Sequence, residues 1–254
     1  MCRHLAYLGP PVTISELILA PEHGLYRQSW APRRQRYGTV NADGFGVGWY
    51  AEDDPVPARY RRQAPIWADL GLTDLARVVR TRALLAAVRD ATLPGADGEA
   101  AALPFAAGPW LFSHNGSVGG WPGTLAPLAA SLPAEELLAL PARSDSALVW
   151  ALLLHRLRSG TELGSALAET VFDIAVASPA SRLNLLAVDG ARIAATAWGD
   201  SLWYLTGGTP AAGSTVVASE PYDDDPRWRE VPDRTLLMAT SGDVLLTPLK
   251  EPSA

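Results

Sequence analysis

Two adjacent segments in the middle of the chain, SDSALVWALLLHRLRSG (144–160) and TELGSALAETVFDIAVAS (161–178), carry hydroxyl caps and leucine-rich faces at helical spacing. Strand-like runs flank them on both sides. Residues 2–8, 43–51, 58–64 and 109–123 precede the pair, and residues 182–190, 191–198, 201–207, 214–220, 234–240 and 243–248 follow it. Strands, two helices and strands again predict an α+β chain, with antiparallel sheets packed in layers and helices segregated to the outside. A helix broken near Pro21 is predicted over 13–30, and 73–79 has helical spacing. Residues 82–91 run apolar into charge, and the Gly and Pro content of 93–104 predicts a loop. Asn115-Gly116 reads as a turn closing the 109–123 strand, and Asp189-Gly190 and Gly199-Asp200 as hairpin turns. No composition break marks a linker and no internal repeat appears, so one domain spanning 2–254 is expected.

Composition narrows the function. With 254 residues, 48% of them hydrophobic, the chain can bury a sizeable core. The net charge of −6, from 27 acids and 21 bases without a basic block, argues against a nucleic-acid partner. No segment reaches the roughly 18 apolar residues of a membrane helix, and the first 25 residues do not follow a signal-peptide pattern. One cysteine fits a reducing compartment, so a cytoplasmic protein is expected. Four histidines without a Cys pair or HExxH give a poor metal set, and no Walker loop is present. In DGFGVGWY, Gly44, Gly46 and Gly48 alternate at strand spacing, which suits close backbone packing better than a phosphate cradle. Neither a metal nor a cofactor is expected.

The single cysteine is Cys2, followed at once by Arg3 and His4. It is either an incidental residue near a chain end or, with Met1 removed, a residue carrying both a thiol and a free α-amine. The second arrangement contains its own chemistry. A thiol is only a few per cent thiolate at neutral pH, and an α-amine of pKa about 8 lies three bonds away to take its proton. No remote histidine is then required as base.

The ordered set Cys2, NADGFGVGWY (41–50), AAVRDAT (86–92), LFSHNG (111–116), SDS (144–146) and ASEPYDDDPRW (218–228) resembles the class II glutamine amidotransferases, members of the N-terminal-nucleophile hydrolases. The resemblance covers nearly the whole chain and implies a four-layer αββα sandwich. It implies Cys2 as nucleophile, with the Asn115 amide and the Gly116 N–H as oxyanion donors. The alternative for that pair is a plain Asn-Gly hairpin. Arg89 is implied as a two-pronged grip on an α-carboxylate and Asp145 as acceptor for an α-ammonium, against the alternatives of a surface arginine and a helix cap. His114 is implied as a support of the turn or a pocket residue.

Within the family, the stretches MCRHLAYLGP, RQSWAPRRQRYGTVNADGFGVGWY and VVASEPYDDDPRW are most like a branch that cleaves a γ-glutamyl amide from a sulfoxide-bearing histidine-betaine conjugate. A permanent cation on that leaving group favours aromatic faces, with Trp30, Tyr37, Trp49 and Trp67 as candidates against the alternative of core packing. Arg33, Arg34 and Arg36 could meet a second carboxylate or the sulfoxide, or form a solvated loop. The chain departs from the wider pattern at Ala87, where His is frequent, and at Arg3, where Gly often follows the nucleophile. Both departures weigh against an ordinary glutamine-to-ammonia role. A glutaminase subunit serving a separate synthetase and a non-catalytic γ-glutamyl-binding protein remain as alternatives. The expected partner is a small γ-glutamyl molecule, with no nucleic acid and no membrane; the sequence does not give the oligomeric state.

Overall fold

The computed structural model describes residues 2–91, 98–208 and 210–249. The run LAYL just past Cys2 is apolar at every position, the pattern of a strand covered on both faces. This strand, β1 (Arg3–Thr13), ends where Thr13 caps α1 (Ile14–Ile18) in a reciprocal capping box with Glu16. α2 (Leu25–Gln28) follows the expected break near Pro21. Next come β2 (Phe45–Trp49), β3 (Ala58–Arg62), α3 (Leu70–Val78) and β4 (Arg80–Val88). Of the loop expected over 93–104, residues 93–97 lie outside the described residues, and Gly98–Ala101 form a short helical turn.

Three short elements of the middle region have no strong sequence signal: β5 (Phe105–Ala107), just before the expected β6 (Trp110–Ser117), and then α4 (Ala126–Ala130) and α5 (Ala134–Leu138). The leucine-rich pair forms α6 (Asp145–Arg158) and α7 (Leu163–Ala177). The C-terminal third is β7 (Arg182–Val188), β8 (Ile193–Ala197), β9 (Trp203–Thr206), β10 (Thr215–Ala218), β11 (Arg229–Glu230), β12 (Thr235–Ala239) and β13 (Val244–Pro248).

These strands form two sheets, ordered β11-β9-β10-β1-β4-β2-β3 and β13-β12-β8-β7-β6-β5. Alternation along β1 divides its side chains between two cores. Leu5 and Tyr7 pack outward with Ile14, Leu17 and Leu72 of α1 and α3, whereas Ala6 and Leu8 pack inward against Leu186 and Ala195 of the second sheet. On the far side of the second sheet, Leu183 and Leu185 pack against α6 and α7, and Phe112 stacks on Trp150 with ring centroids 5.2 Å apart. The result is helix, sheet, sheet, helix: the expected four layers.

Two turn expectations are corrected. Asn115 and Gly116 lie inside β6, opposite Asn184 and Leu183 of β7, because the apolar run of β6 carries its pairing through the dipeptide. Gly199-Asp200 joins β8 and β9, which belong to different sheets, so it transfers the chain between layers and closes no hairpin.

His4 sits between the sheets, fully buried, with Nδ1 3.1 Å from Ser113 Oγ and no partner at Nε2. Burial, reinforced by the charge of Arg3 and by His114, pushes its pKa down to about 3. The unfolded chain therefore binds a proton below pH ~6.5 that the native protein refuses. Native stability from this group is complete above that pH and falls with acid by up to about 1.4 kcal/mol per pH unit until the folded pKa is reached. Denaturant unfolding between pH 7 and 4 should give a shallower acid slope for His4→Gln than for the parent. Equal slopes would contradict the assignment.

Candidate active site

Three chain segments end at the same edge of the sandwich. β1 begins there with Cys2 just before it, β4 runs out into Arg89, Asp90 and Ala91, and β6 delivers Gly116 before Val118. With Leu103, Trp121 and the first turn of α6 they enclose a cavity of about 160 Å³. At one water per ~15 Å³ that is room for on the order of ten non-hydrogen atoms.

Cys2 is 8% exposed. Burial pushes its thiol above the ordinary value, and the N-terminal ammonium, the Asp90 backbone N–H and the Arg89 charge pull in the opposite direction without overcoming it. The resting group is therefore the protonated thiol, which needs a base before it can react as thiolate. Arg89 is held by its backbone, which donates to Gly44 O (2.8 Å) and accepts from Asp43 N (2.9 Å). Its guanidinium makes one long bond to Asp43 O (3.4 Å) and no ion pair with a carboxylate among the described residues. A buried cation thus faces the cavity ready for an anion.

Opposite it stands Asp145. The helix cap is Ser144, whose hydroxyl accepts from Ala147 N, so Asp145 occupies the first helical position and its carboxylate lines the cavity. That carboxylate accepts from Ser146 N (2.7 Å) and Val118 N (2.9 Å), which fixes its orientation. A guanidinium and a carboxylate across one small cavity suit a zwitterion. Leu103, Val118 and Trp121 provide an apolar side between them.

The β6–β7 ladder orients Gly116. Leu183, opposite it, donates to Trp198 O and accepts from Thr196 Oγ1, both on the β8 side. In an antiparallel pair the facing residue then also turns its polar groups outward, away from β7. β5 pairs β6 only at 110–112, so the Gly116 N–H meets no neighbouring strand on that side. A Cβ at 116 would collide with the Arg182 carbonyl oxygen, and the φ of +155° also favours glycine. Asn115 shares the face of Ser113, which reaches across to His4 in the first sheet. Its amide is fully buried, yet neither Nδ2 nor Oδ1 has a hydrogen-bond partner.

Several expected residues lie elsewhere. His114 does not line the cavity, because alternation along β6 turns it toward α6. Its Nε2 is 3.0 Å from the Arg182 carbonyl, which can only accept, so Nε2 carries the proton and Nδ1 accepts from Ser146 Oγ (3.0 Å). None of Trp30, Tyr37, Trp49 and Trp67 borders the cavity. Trp30 is engaged edge-on with Tyr26 and Trp67, Trp49 packs against the outer core, and the half-exposed Tyr37 covers the Arg182 guanidinium at 4.2 Å. Arg33 pairs with Asp224 (3.0 Å), and Arg34 lies over Trp203 (4.6 Å). Among the lining residues to which sequence reading gave no site role are Asp90, Leu103, Val118, Trp121, Arg143, Ser144 and Ser146; Ser144 and Ser146 flank Asp145 in the SDS motif, and closeness in sequence to Arg89, Gly116 or that motif could have indicated the others except Leu103.

The sequence pattern of the class II glutamine amidotransferases matches residues 24–213, and the chain belongs to that family. The γ-glutamyl-hercynylcysteine sulfoxide hydrolase of Mycolicibacterium smegmatis is 43% identical over 249 residues, covering 98% of this chain and 100% of that one. The protein of the same name from Mycobacterium tuberculosis is 43% identical over 250 residues, covering 98% and 97%. Among solved structures, a glutamine aminotransferase class-II domain protein from Silicibacter pomeroyi aligns with a TM-score of 0.67 at 24% identity, over 98% of this chain and 100% of that one. Glutamine phosphoribosylpyrophosphate amidotransferase from B. subtilis aligns with a TM-score of 0.68 at 16% identity, over 98% of this chain and 49% of that one. These likenesses agree with the αββα fold.

The clash at 116 makes a direct prediction. Gly116→Ala should push β6 away from Arg182, lower unfolding stability by about 1–3 kcal/mol and distort the cavity. Denaturant midpoints, read together with turnover of a γ-glutamyl amide, check it; unchanged stability would show that the strand yields freely.

Proposed function

We propose that this protein is an amidohydrolase that cleaves the γ-glutamyl amide of γ-glutamyl-hercynylcysteine sulfoxide to glutamate and hercynylcysteine sulfoxide through a Cys2 thioester. The observation that carries the reading is the meeting of Cys2, the unpaired Arg89 and Asp145 in one cavity of glutamyl size. Full-length likeness to two hydrolases of that name supports the choice of leaving group.

In this mechanism Met1 is removed and the Cys2 α-amine takes the thiol proton, directly or through water. The sulfur attacks the γ-carbonyl, and the oxyanion receives hydrogen bonds from the Asn115 amide and the Gly116 N–H. The α-ammonium then protonates the departing amine as the C–N bond breaks. Water hydrolyses the thioester, releases glutamate and restores the thiol. Arg89 and Asp145 hold the substrate's α-carboxylate and α-ammonium throughout, so they act on any γ-glutamyl compound. Every step uses the chain's own groups, and a cytoplasmic location fits a mechanism that needs a reduced thiol. No helix among the described residues is long and apolar enough to cross a membrane.

Arg89→Met should weaken the specificity constant for every γ-glutamyl substrate by about 2 kcal/mol or more, whatever the leaving group. A change within a factor of about two would remove Arg89 from the clamp. A panel of free glutamine, γ-glutamyl methylamide and the hercynylcysteine sulfoxide conjugate decides between activities. Preference for the conjugate is expected. Preference for glutamine would establish the glutaminase reading, and binding without turnover would establish a γ-glutamyl-binding protein.

A further inference from the structure

Arg3 is a buried charge that the mechanism does not use. Its side chain is fully enclosed, its Nε donates to the Cys2 carbonyl oxygen (3.1 Å), and Nη1 lies 3.9 Å from Glu220 Oε2 with no hydrogen-bond partner. Glu220 is equally enclosed, and its two oxygens are divided between two backbone amides, Arg33 N (2.9 Å) and Arg34 N (2.8 Å). One carboxylate therefore faces the cation behind the nucleophile and pins the start of a surface segment. The adjoining main chain is tied to β1 as well, since Ser219 N donates to His4 O and His4 N to Ser219 Oγ, both at 3.0 Å.

From that anchor the segment 33–38 runs to Asp90, a residue of the cavity lining. Tyr37 lies over Arg182, which donates to Ser117 Oγ (2.9 Å), the neighbour of Gly116. Arg182 also stands 3.2 Å from Asp200. Gly38 has a φ of +72° and packs so closely on the Asp90 carboxylate that a Cβ there would overlap it, and Asp90 lines the cavity. A substrate larger than a glutamyl group extends beyond this cavity, and segment 33–38 is packed against Asp90 of its lining.

We propose that Arg3 and Glu220 are positioning residues that tie the backbone of the nucleophile to segment 33–38 and make that segment the wall against which the leaving amine is read. The proposal rests on the γ-glutamyl hydrolase reading for its substrate and on the geometry alone for the coupling. It gives a physical role to an arginine at a position where the wider family often has glycine. The buried guanidinium requires a buried carboxylate, and that carboxylate in turn fixes the loop.

Two variants test it. Glu220→Gln keeps shape but removes the charge and one acceptor; Glu220→Asp keeps the charge for Arg3 but withdraws the oxygens from the loop, so the fold has a second chance to survive. Each should lower the specificity constant for the hercynylcysteine sulfoxide conjugate by about tenfold or more, mainly through KM, while γ-glutamyl methylamide loses less than about threefold. Equal losses on both substrates, or none on either, would overturn the leaving-group role. Hydrogen exchange at the Arg33 and Arg34 amides reads the coupling without any turnover and should accelerate by about tenfold or more in both variants. Unaltered exchange would overturn the coupling even if the conjugate is cleaved. A parent protein that cleaves neither substrate would refute the hydrolase reading and the leaving-group role, leaving exchange alone to decide the coupling.

Discussion

The antiparallel register of β1 on β4 creates the site. Arg3 faces Val88, so Cys2, immediately before the first strand, and Arg89, immediately after the other, meet where the ladder ends. Val88 also faces Phe45 of β2, which brings the Asp43-Gly44 backbone up to hold Arg89. A one-residue slip would exchange the inward and outward faces of β1 and turn the thiol away from the cavity. The apolar cores on both faces prevent it: Leu5 and Tyr7 are committed to one and Ala6 and Leu8 to the other. The register is thus set by packing along the strand, and the cavity lies where the packing stops.

Burial at that place works in two directions. It raises the thiol's pKa, which keeps Cys2 protonated at rest and creates the need for a base. It also leaves polar groups unpaired that water would otherwise serve. A buried donor or acceptor without a partner costs about 1–3 kcal/mol, and Asn115 carries one of each. In the proposed reaction that cost is offset as the oxyanion forms, when the amide and the Gly116 N–H gain a charged partner. The unpaired guanidinium of Arg89 follows the same logic toward an α-carboxylate. Stability is given up where the substrate is to supply the missing interaction.

Much of this was legible in the sequence. The strands-helices-strands order gave the layers, because amphipathic α6 and α7 had to cover a sheet face. The ordered motifs brought Cys2, Arg89, Gly116 and Asp145 to a single cavity. The misreadings have physical causes. Asn-Gly is a strong local turn signal, but the tertiary pairing of β6 with β7 overrides it and keeps both residues extended. Trp30, Trp49 and Trp67 are close to the matching motifs in sequence, yet strand alternation and mutual ring packing take them to the outer layer. Trp121 follows the LFSHNG motif by a few residues but carries no pattern of its own, and folding brings it to the cavity. Glu220 closes the strand-like run 214–220; its contact with two amides nearly two hundred residues away cannot be read from local pattern.

In the proposed reaction Cys2 attacks a γ-glutamyl carbonyl inside this cavity. A γ-glutamyl-mimicking electrophile, added in stoichiometric amount and followed by peptide mass mapping, tests it most directly. Loss of activity should track the attachment of one label per chain on Cys2, and glutamate should slow the labelling. Turnover that survives complete labelling of Cys2, or full inactivation with the label elsewhere, would contradict the account.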